Sequence, residues 1–171
     1  KDTGKNDATS LDELAGDEAT AFRSDSGTIL YVVSGRFDIA YTARLLSEQM
    51  ATPLRLGDLR LERLARYLSG CPSLALMFVF QEEQFGSKIP VDSNWASEDT
   101  ERRSTHSGLE LIGEHLIESW VATDQVRSLS SAEAELISIV KGAAEGMGAR
   151  SLLRDLGSER EVVLSADAFA A

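Results

Sequence analysis

At 171 residues the chain is long enough for one ordinary domain, or for a small domain with a helical appendage. Cys71 stands alone, which excludes an intrachain disulfide and a Cys-rich metal site, and no apolar run approaches the roughly 20 residues of a membrane span. A net charge of −11 argues against tight non-specific binding of nucleic acid, which depends on Lys and Arg neutralising phosphates.

The charge is uneven along the chain. Residues 1–20 hold two Lys against six acids, are poor in large apolar groups, and read as a disordered acidic lead-in. Residues 21–70 hold seven Arg against five acids and show helical periods. Three apolar stretches lie there: Ile29 to Val33, Ile39 to Met50 and Leu59 to Leu68, the last ended by Gly70 and Pro72. They predict three short helices in a small all-α unit.

After Pro72 the period changes. Leu74 to Phe80 is a continuous apolar run of strand length, which predicts a strand buried on both faces. Ile89 to Trp95 predicts a second strand. Leu109 to Ile112 and His115 to Val121 flank Gly113-Glu114 and predict a hairpin. The strongest helix runs from about Ser131 to Leu156, with a Ser130/Glu133 capping box at its start and Gly157 past its end. Val162 to Leu164 begins another strand. Residues 71–171 therefore read as α/β, a mixed sheet with one long helix.

Two acids follow or sit within strands, Asp92 and Asp167, and carboxylates near the ends of neighbouring strands can converge. A third comes from the long helix. At about 100° per residue, Glu135 lies about 20° from Gly142 and Gly146, the small residues expected against the sheet, and Glu133 about 160° away from it. Glu135 is thus the one aimed inward. Clustered carboxylates repel unless a cation joins them, and hard oxygen donors favour magnesium or manganese, as in two-metal phosphodiester hydrolysis. Among 28 acids such a trio can also arise by chance, and solvated surface acids are the alternative.

The residues around these acids resemble a family. Asp92-Ser-Asn-Trp-Ala, Arg102-Arg-Ser-Thr105 and Ser107-Gly108 resemble the opening strand and turn of copia-type retrotransposon ribonuclease H, Asp-x-Asp-Trp-Ala-Gly then Arg-(Arg/Lys)-Ser-Thr-Ser-Gly. Ile117-Glu-Ser-Trp120 and Leu129-Ser-Ser-Ala-Glu-Ala-Glu135-Leu resemble its next signatures. Lys141-Gly-Ala-Ala-Glu145 and Leu152, Leu153 and Leu156 continue its helix. Upstream, Phe22-Arg-Ser, Gly27, Leu30-Tyr31, Arg36-Phe-Asp-Ile-Ala-Tyr41, Leu45-Leu46-Ser47 and Arg66-Tyr-Leu-Ser-Gly70 resemble the end of the reverse transcriptase. The resemblance runs from about Phe22 to Asp167.

What it implies is a truncated ribonuclease H-like α/β fold over 71–171, preceded over 21–70 by a helical, thumb- or connection-like end of reverse transcriptase. The implied activity cuts the RNA strand of an RNA/DNA hybrid with two magnesium (or manganese) ions. Asp92, Glu135 and Asp167 match three of the family's four carboxylates as catalytic and metal-binding residues, and Arg102 and Arg103 are candidates for phosphate contact. The implied partners are the hybrid and the remainder of the polyprotein, with no membrane. The location is intracellular: cytoplasmic, nuclear or within retroelement particles.

There are departures from the pattern. The fourth carboxylate belongs to a later stretch, so weak or no cleavage is expected of residues 1–171. His106 looks like an insertion in the Ser-Thr-Ser-Gly turn, and Asn94 stands for a usual Asp. The family's Ser-Lys-Lys-Gln is Ala122-Thr-Asp124-Gln here, a loss of two positive charges that implies weak substrate affinity. The alternative to an enzyme is a catalytically inactive retroelement remnant serving as a folded scaffold.

Plainer roles are expected elsewhere. Asp25-Ser26-Gly27 resembles the aspartic-protease triplet but lacks the preceding apolar strand, so a helix-start or turn role is expected. His106 and His115 read as surface or hairpin residues, Gly142 and Gly146 as close helix-to-sheet packing, and Trp95 and Trp120 as core anchors.

Overall fold

The structure, a computed structural model, describes residues 11–81, 86–97 and 102–166. The chain divides into two compact units, Lys1–Ala75 and Leu76–Ala171.

In the first unit, α1 spans Gly16–Val32, α2 Ala40–Glu48 and α3 Arg55–Gly70, with two short 3₁₀ turns between α1 and α2. The helix thus begins inside the stretch expected to be disordered. Asp17 and Glu18 explain part of this, because acids in a first turn complement the helix dipole. Ahead of it, Leu14 N donates to Pro53 O at 2.8 Å and Arg55 N to Asp12 O at 2.9 Å, joining the entries to α1 and α3. Asp25-Ser26-Gly27 lies in mid-helix, neither at a helix start nor in a turn.

The core of this unit is apolar: Phe22, Ile29, Ile39, Ala43, Leu46 and Leu64 pack together, each contributing about 1.5–3 kcal/mol when large and fully buried. A polar clasp closes one side. Arg36 donates from Nε and Nη2 to the two oxygens of Asp38 at 2.9 and 2.8 Å, and Tyr67 OH donates to Asp38 Oδ2 at 2.7 Å. Arg36 Nη1 donates to Cys71 O at 2.9 Å, just past the end of α3. The Arg36 hydrogen bonds hold the Asp38 carboxyl down at about 2.

The second unit carries a four-stranded sheet in the order β3-β2-β1-β4, with β1 Ser87–Asn94, β2 Thr105–Ile112, β3 His115–Thr123 and β4 Val162–Ala166. β1, β2 and β3 form an antiparallel meander, and β4 lies parallel to β1 after the long helix α4, Ser131–Asp155. The hairpin turns at Gly113, whose φ of +62 suits the first central position of a tight turn.

α4 packs against the sheet through its smallest residues: Ala134, Ser138, Gly142 and Gly146 are buried. A Cβ at Gly142 would stand 2.5 Å from Val91 Cγ1 and 2.9 Å from Leu164 Cδ1, so close packing of helix on sheet is the role of this glycine. Leu136, Val140 and Met147 of α4 are exposed, whereas Ile137 and Ile139 are half-buried. The register also puts Trp120 opposite Gly108, where its half-buried ring fills the space a side chain would need.

Leu74 to Phe80 corrects an expectation. The run forms no strand, and Met77 and Phe80 are 78% and 89% exposed. Length and apolarity allow a strand, but a strand exists only when its backbone pairs, and among the described residues no neighbour pairs with it. Gln81, just beyond, donates from Nε2 to Ile112 O at 3.2 Å and accepts from Glu114 N at 3.2 Å, tying the chain to the β2–β3 turn. No helix among the described residues is long and apolar enough to cross a membrane.

Candidate functional site

α4 begins with the expected capping box. Ser130 Oγ accepts from Glu133 N at 3.2 Å, and Glu133 Oε2 accepts from Leu129 N at 2.6 Å, which keeps Glu133 on the exposed side. Glu135 turns to β1 instead. Ser93 Oγ donates to its Oε1 at 2.8 Å, while Oε2 is buried without a hydrogen-bond partner. One turn on, Ser138 Oγ donates to the backbone carbonyl of Asp92 at 3.0 Å. Two helix side chains thus pin the end of β1.

The Asp92 carboxyl is exposed. Side chains alternate along a strand, and Val91 and Ser93 both meet α4, so Asp92 belongs to the opposite face. Asp92 and Glu135 therefore flank the end of β1 from the two sides of the sheet. The last described pair of β1 with β4 is Val91↔Ala166, residues that immediately precede Asp92 and Asp167 in sequence. Asp167 itself lies outside the described residues. Among the described residues, no three His, Cys, Asp or Glu side chains are grouped closely enough to hold a metal ion.

The turn after β1 departs from expectation at Trp95. Its ring is 42% exposed, not a core anchor. Its Nε1 donates to Ser128 O at 3.0 Å, and the exposed Arg102 guanidinium lies 6.0 Å from its ring centre. Ala96 and Arg102 both adopt left-handed backbone, φ +50 and +54, which costs of order 1 kcal/mol each for residues with a Cβ. Ala96 N donates to Ser104 Oγ at 3.3 Å, and the Arg103 carbonyl accepts from Ser97 Oγ at 3.5 Å. The indole bracket and these two bonds hold the strained turn.

His106 is a second correction. It is 7% exposed, not a surface residue, and its Nδ1 lies 2.7 Å from Oδ1 of Asp124, itself 3% exposed. Pairing of β2 with β3 sets His106 opposite Ala122, a small residue, and Asp124 reaches back from two positions further along. His115 does belong to the hairpin, at the start of β3, with its ring 5.1 Å from that of Phe78. Sequence reading also passed over Glu110, 3% exposed, which accepts from Ser87 Oγ at 3.0 Å. Burial pushes its carboxyl pKa up, and the hydrogen bond from Ser87 opposes that shift.

Comparison with known proteins adds a lineage to this geometry. The chain is 30% identical over 141 residues, 82% of its length, to the retrovirus-related Pol polyprotein from transposon RE1 of Arabidopsis thaliana. It is equally similar to the corresponding polyprotein from transposon RE2. The chain is homologous to retrotransposon Pol polyproteins. It spans about 10% of the length of these two polyproteins. An uncharacterized mitochondrial protein of the same plant is 31% identical over 125 residues, 72% of this chain and 51% of that protein. No family model matches the chain, and no solved structure matches it. The Pol relationship sets the context for Asp92 and Glu135 without assigning them a reaction.

Proposed function

We propose that the second unit is the ribonuclease H-type domain of a copia-type Pol polyprotein, hydrolysing the RNA strand of RNA/DNA hybrids with Asp92, Glu135 and Asp167 around two magnesium or manganese ions. One observation carries the reading. The last described pair of β1 and β4, Val91↔Ala166, immediately precedes Asp92 and Asp167 in sequence, while α4 hangs Glu135 on Ser93, the residue after Asp92.

The donor chemistry fits a hard cation. Glu135 Oε2 is buried without a hydrogen-bond partner on the α4 side of β1, and Asp92 offers an exposed carboxylate at the same strand end on the other face. In this reading Asp92, Glu135 and Asp167 would hold the metal, which would supply activation of water and charge neutralisation at the phosphate. Ser93 and Ser138 fix the helix to the strand, so Glu135 is oriented before any cation arrives. Arg102, exposed beside Trp95, is the candidate for contact with a backbone phosphate, with Arg103 next to it.

The test is cleavage of an end-labelled RNA/DNA hybrid with magnesium, with chelator, and with Glu135→Gln. Cleavage that needs the metal and disappears in the variant supports the proposal. A folded chain that binds no divalent ion and cuts no hybrid, even when extended by a copia-type C-terminal segment, favours the inactive scaffold.

A further inference from the structure

The two departures that looked unrelated in sequence, the inserted His106 and the Asp124 that replaces a Lys, are bonded to each other. Both are more than nine-tenths buried. Their place in the sheet gives the pair a target. The register sets His106 directly opposite Ser93, on the face that meets α4, and Ser93 Oγ is the donor to Glu135. Asp124 N donates to Ser104 O at 2.8 Å, and Ser104 Oγ accepts from Ala96 N, so the same layer also ties the ends of β1, β2 and β3.

We infer that His106 and Asp124 are a positioning pair for Glu135, acting through Ser93. The inference rests on the reading that Glu135 is the reactive carboxylate. A buried carboxylate and a buried imidazole each cost free energy unless paired, and both still carry an unpartnered buried atom, Asp124 Oδ2 and His106 Nε2. An apolar pair of similar size would close the sheet end at lower cost. What the polar pair adds is direction: the Nδ1 bond to Asp124 fixes the ring plane, the register sets that ring on the strand position facing Ser93, and Ser93 holds one oxygen of Glu135. Partners of this kind around a ligating side chain commonly alter metal affinity by about 10–100-fold.

NMR on the full chain provides a readout free of metal. Three-bond couplings of Glu135 are expected to report one fixed rotamer in the wild type and averaging in His106→Leu and Asp124→Leu. His106→Asn, which keeps a donor near the Nδ1 position, and Asp124→Asn, which keeps an acceptor, are expected to retain the fixed rotamer. Mn2+ affinity by electron paramagnetic resonance is expected to fall about tenfold in the leucine variants and to stay within about twofold in the asparagine variants. Melting temperatures are measured alongside. Leucine variants that melt lower while Glu135 keeps its rotamer and its Mn2+ affinity overturn the proposal, as does an averaged Glu135 in the wild type. If the leucine variants do not fold, His106→Gln, which loses the Nδ1 donor at similar polarity, decides: averaging supports the pair and a fixed rotamer overturns it. Absence of Mn2+ binding in the wild type would sink the nuclease reading, and the couplings would still decide the positioning.

Discussion

The two units bury different chemistry. The helical unit hides Phe22, Ile29, Ile39, Ala43, Leu46 and Leu64, a contiguous apolar cluster. Its main charged feature, the Arg36–Asp38–Tyr67 clasp, stands at the edge of that cluster and is fully paired at Asp38. The sheet unit buries Ile89, Val91 and Ala134, but also Ser87, Ser104, Thr105, His106, Glu110, Asp124 and Ser138. A core of that second kind is a poor way to gain stability, because each polar group must find a partner or cost about 1–3 kcal/mol. It is a good way to fix side chains in defined orientations. The comparison separates a unit built to hold together from a unit built to hold something in place.

Substitutions can widen or collapse that contrast. The largest expected loss is from Phe22→Ala, about 3–5 kcal/mol for a fully buried aromatic, read by denaturant titration with hydrogen exchange at the amides of α1, α2 and α3. A loss below about 1 kcal/mol would mean that the cluster is not the source of that unit's stability. Gly142→Val tests the helix-to-sheet contact in the other unit. Overpacking against Val91 and Leu164 is expected to cost about 1–3 kcal/mol by thermal unfolding. Ser130→Ala removes the α4 cap and is expected to cost about 1 kcal/mol by the same measurement.

The smallest effect is one of sign. Asp38 is held below its ordinary value by Arg36, so its contribution is present above the unfolded pKa near 4 and is lost as pH falls towards about 2. Glu110 is pushed the other way by burial. Its native form holds a proton more readily, so its contribution is greatest below about pH 4 and declines as pH rises through the raised value. Asp38→Asn is therefore expected to destabilise at neutral pH, and the deficit to vanish in strong acid. Glu110→Gln is expected to stabilise at neutral pH, and that gain to vanish near pH 4. Melting curves of both variants across pH 2–8 check this. Shifts of the same sign would dissolve the comparison.

Much of the sheet unit was legible from local signals. Ser130 and Glu133 marked the start of α4, Gly113 marked the hairpin, and the position of Glu135 relative to Gly142 and Gly146 gave its inward aim. These signals act within a few residues of the chain. The misses needed partners far along it. Leu74 to Phe80 had strand composition, but pairing is a property of two segments, and among the described residues no second segment pairs with it. His106 read as an insertion and Asp124 as a lost positive charge, two separate departures, since they meet only through the β2–β3 register. At the start of α1 the error ran the other way: acidic, polar composition suggested disorder, whereas Asp17 and Glu18 favour a helix when they occupy its first turn.

The unpaired stretch Leu74 to Phe80 also has a practical consequence. A protease needs several consecutive residues of extended backbone free to enter its cleft, and exposed, unbonded segments are where nicking concentrates. Here that backbone carries Leu74, Leu76, Met77, Phe78 and Phe80, side chains favoured by enzymes that cut after large apolar residues, between one compact unit and the next. Brief digestion with such an enzyme is the natural way to divide this chain, and the cut would leave Arg36, Asp38 and Tyr67 on one piece and Asp92, His106, Asp124 and Glu135 on the other.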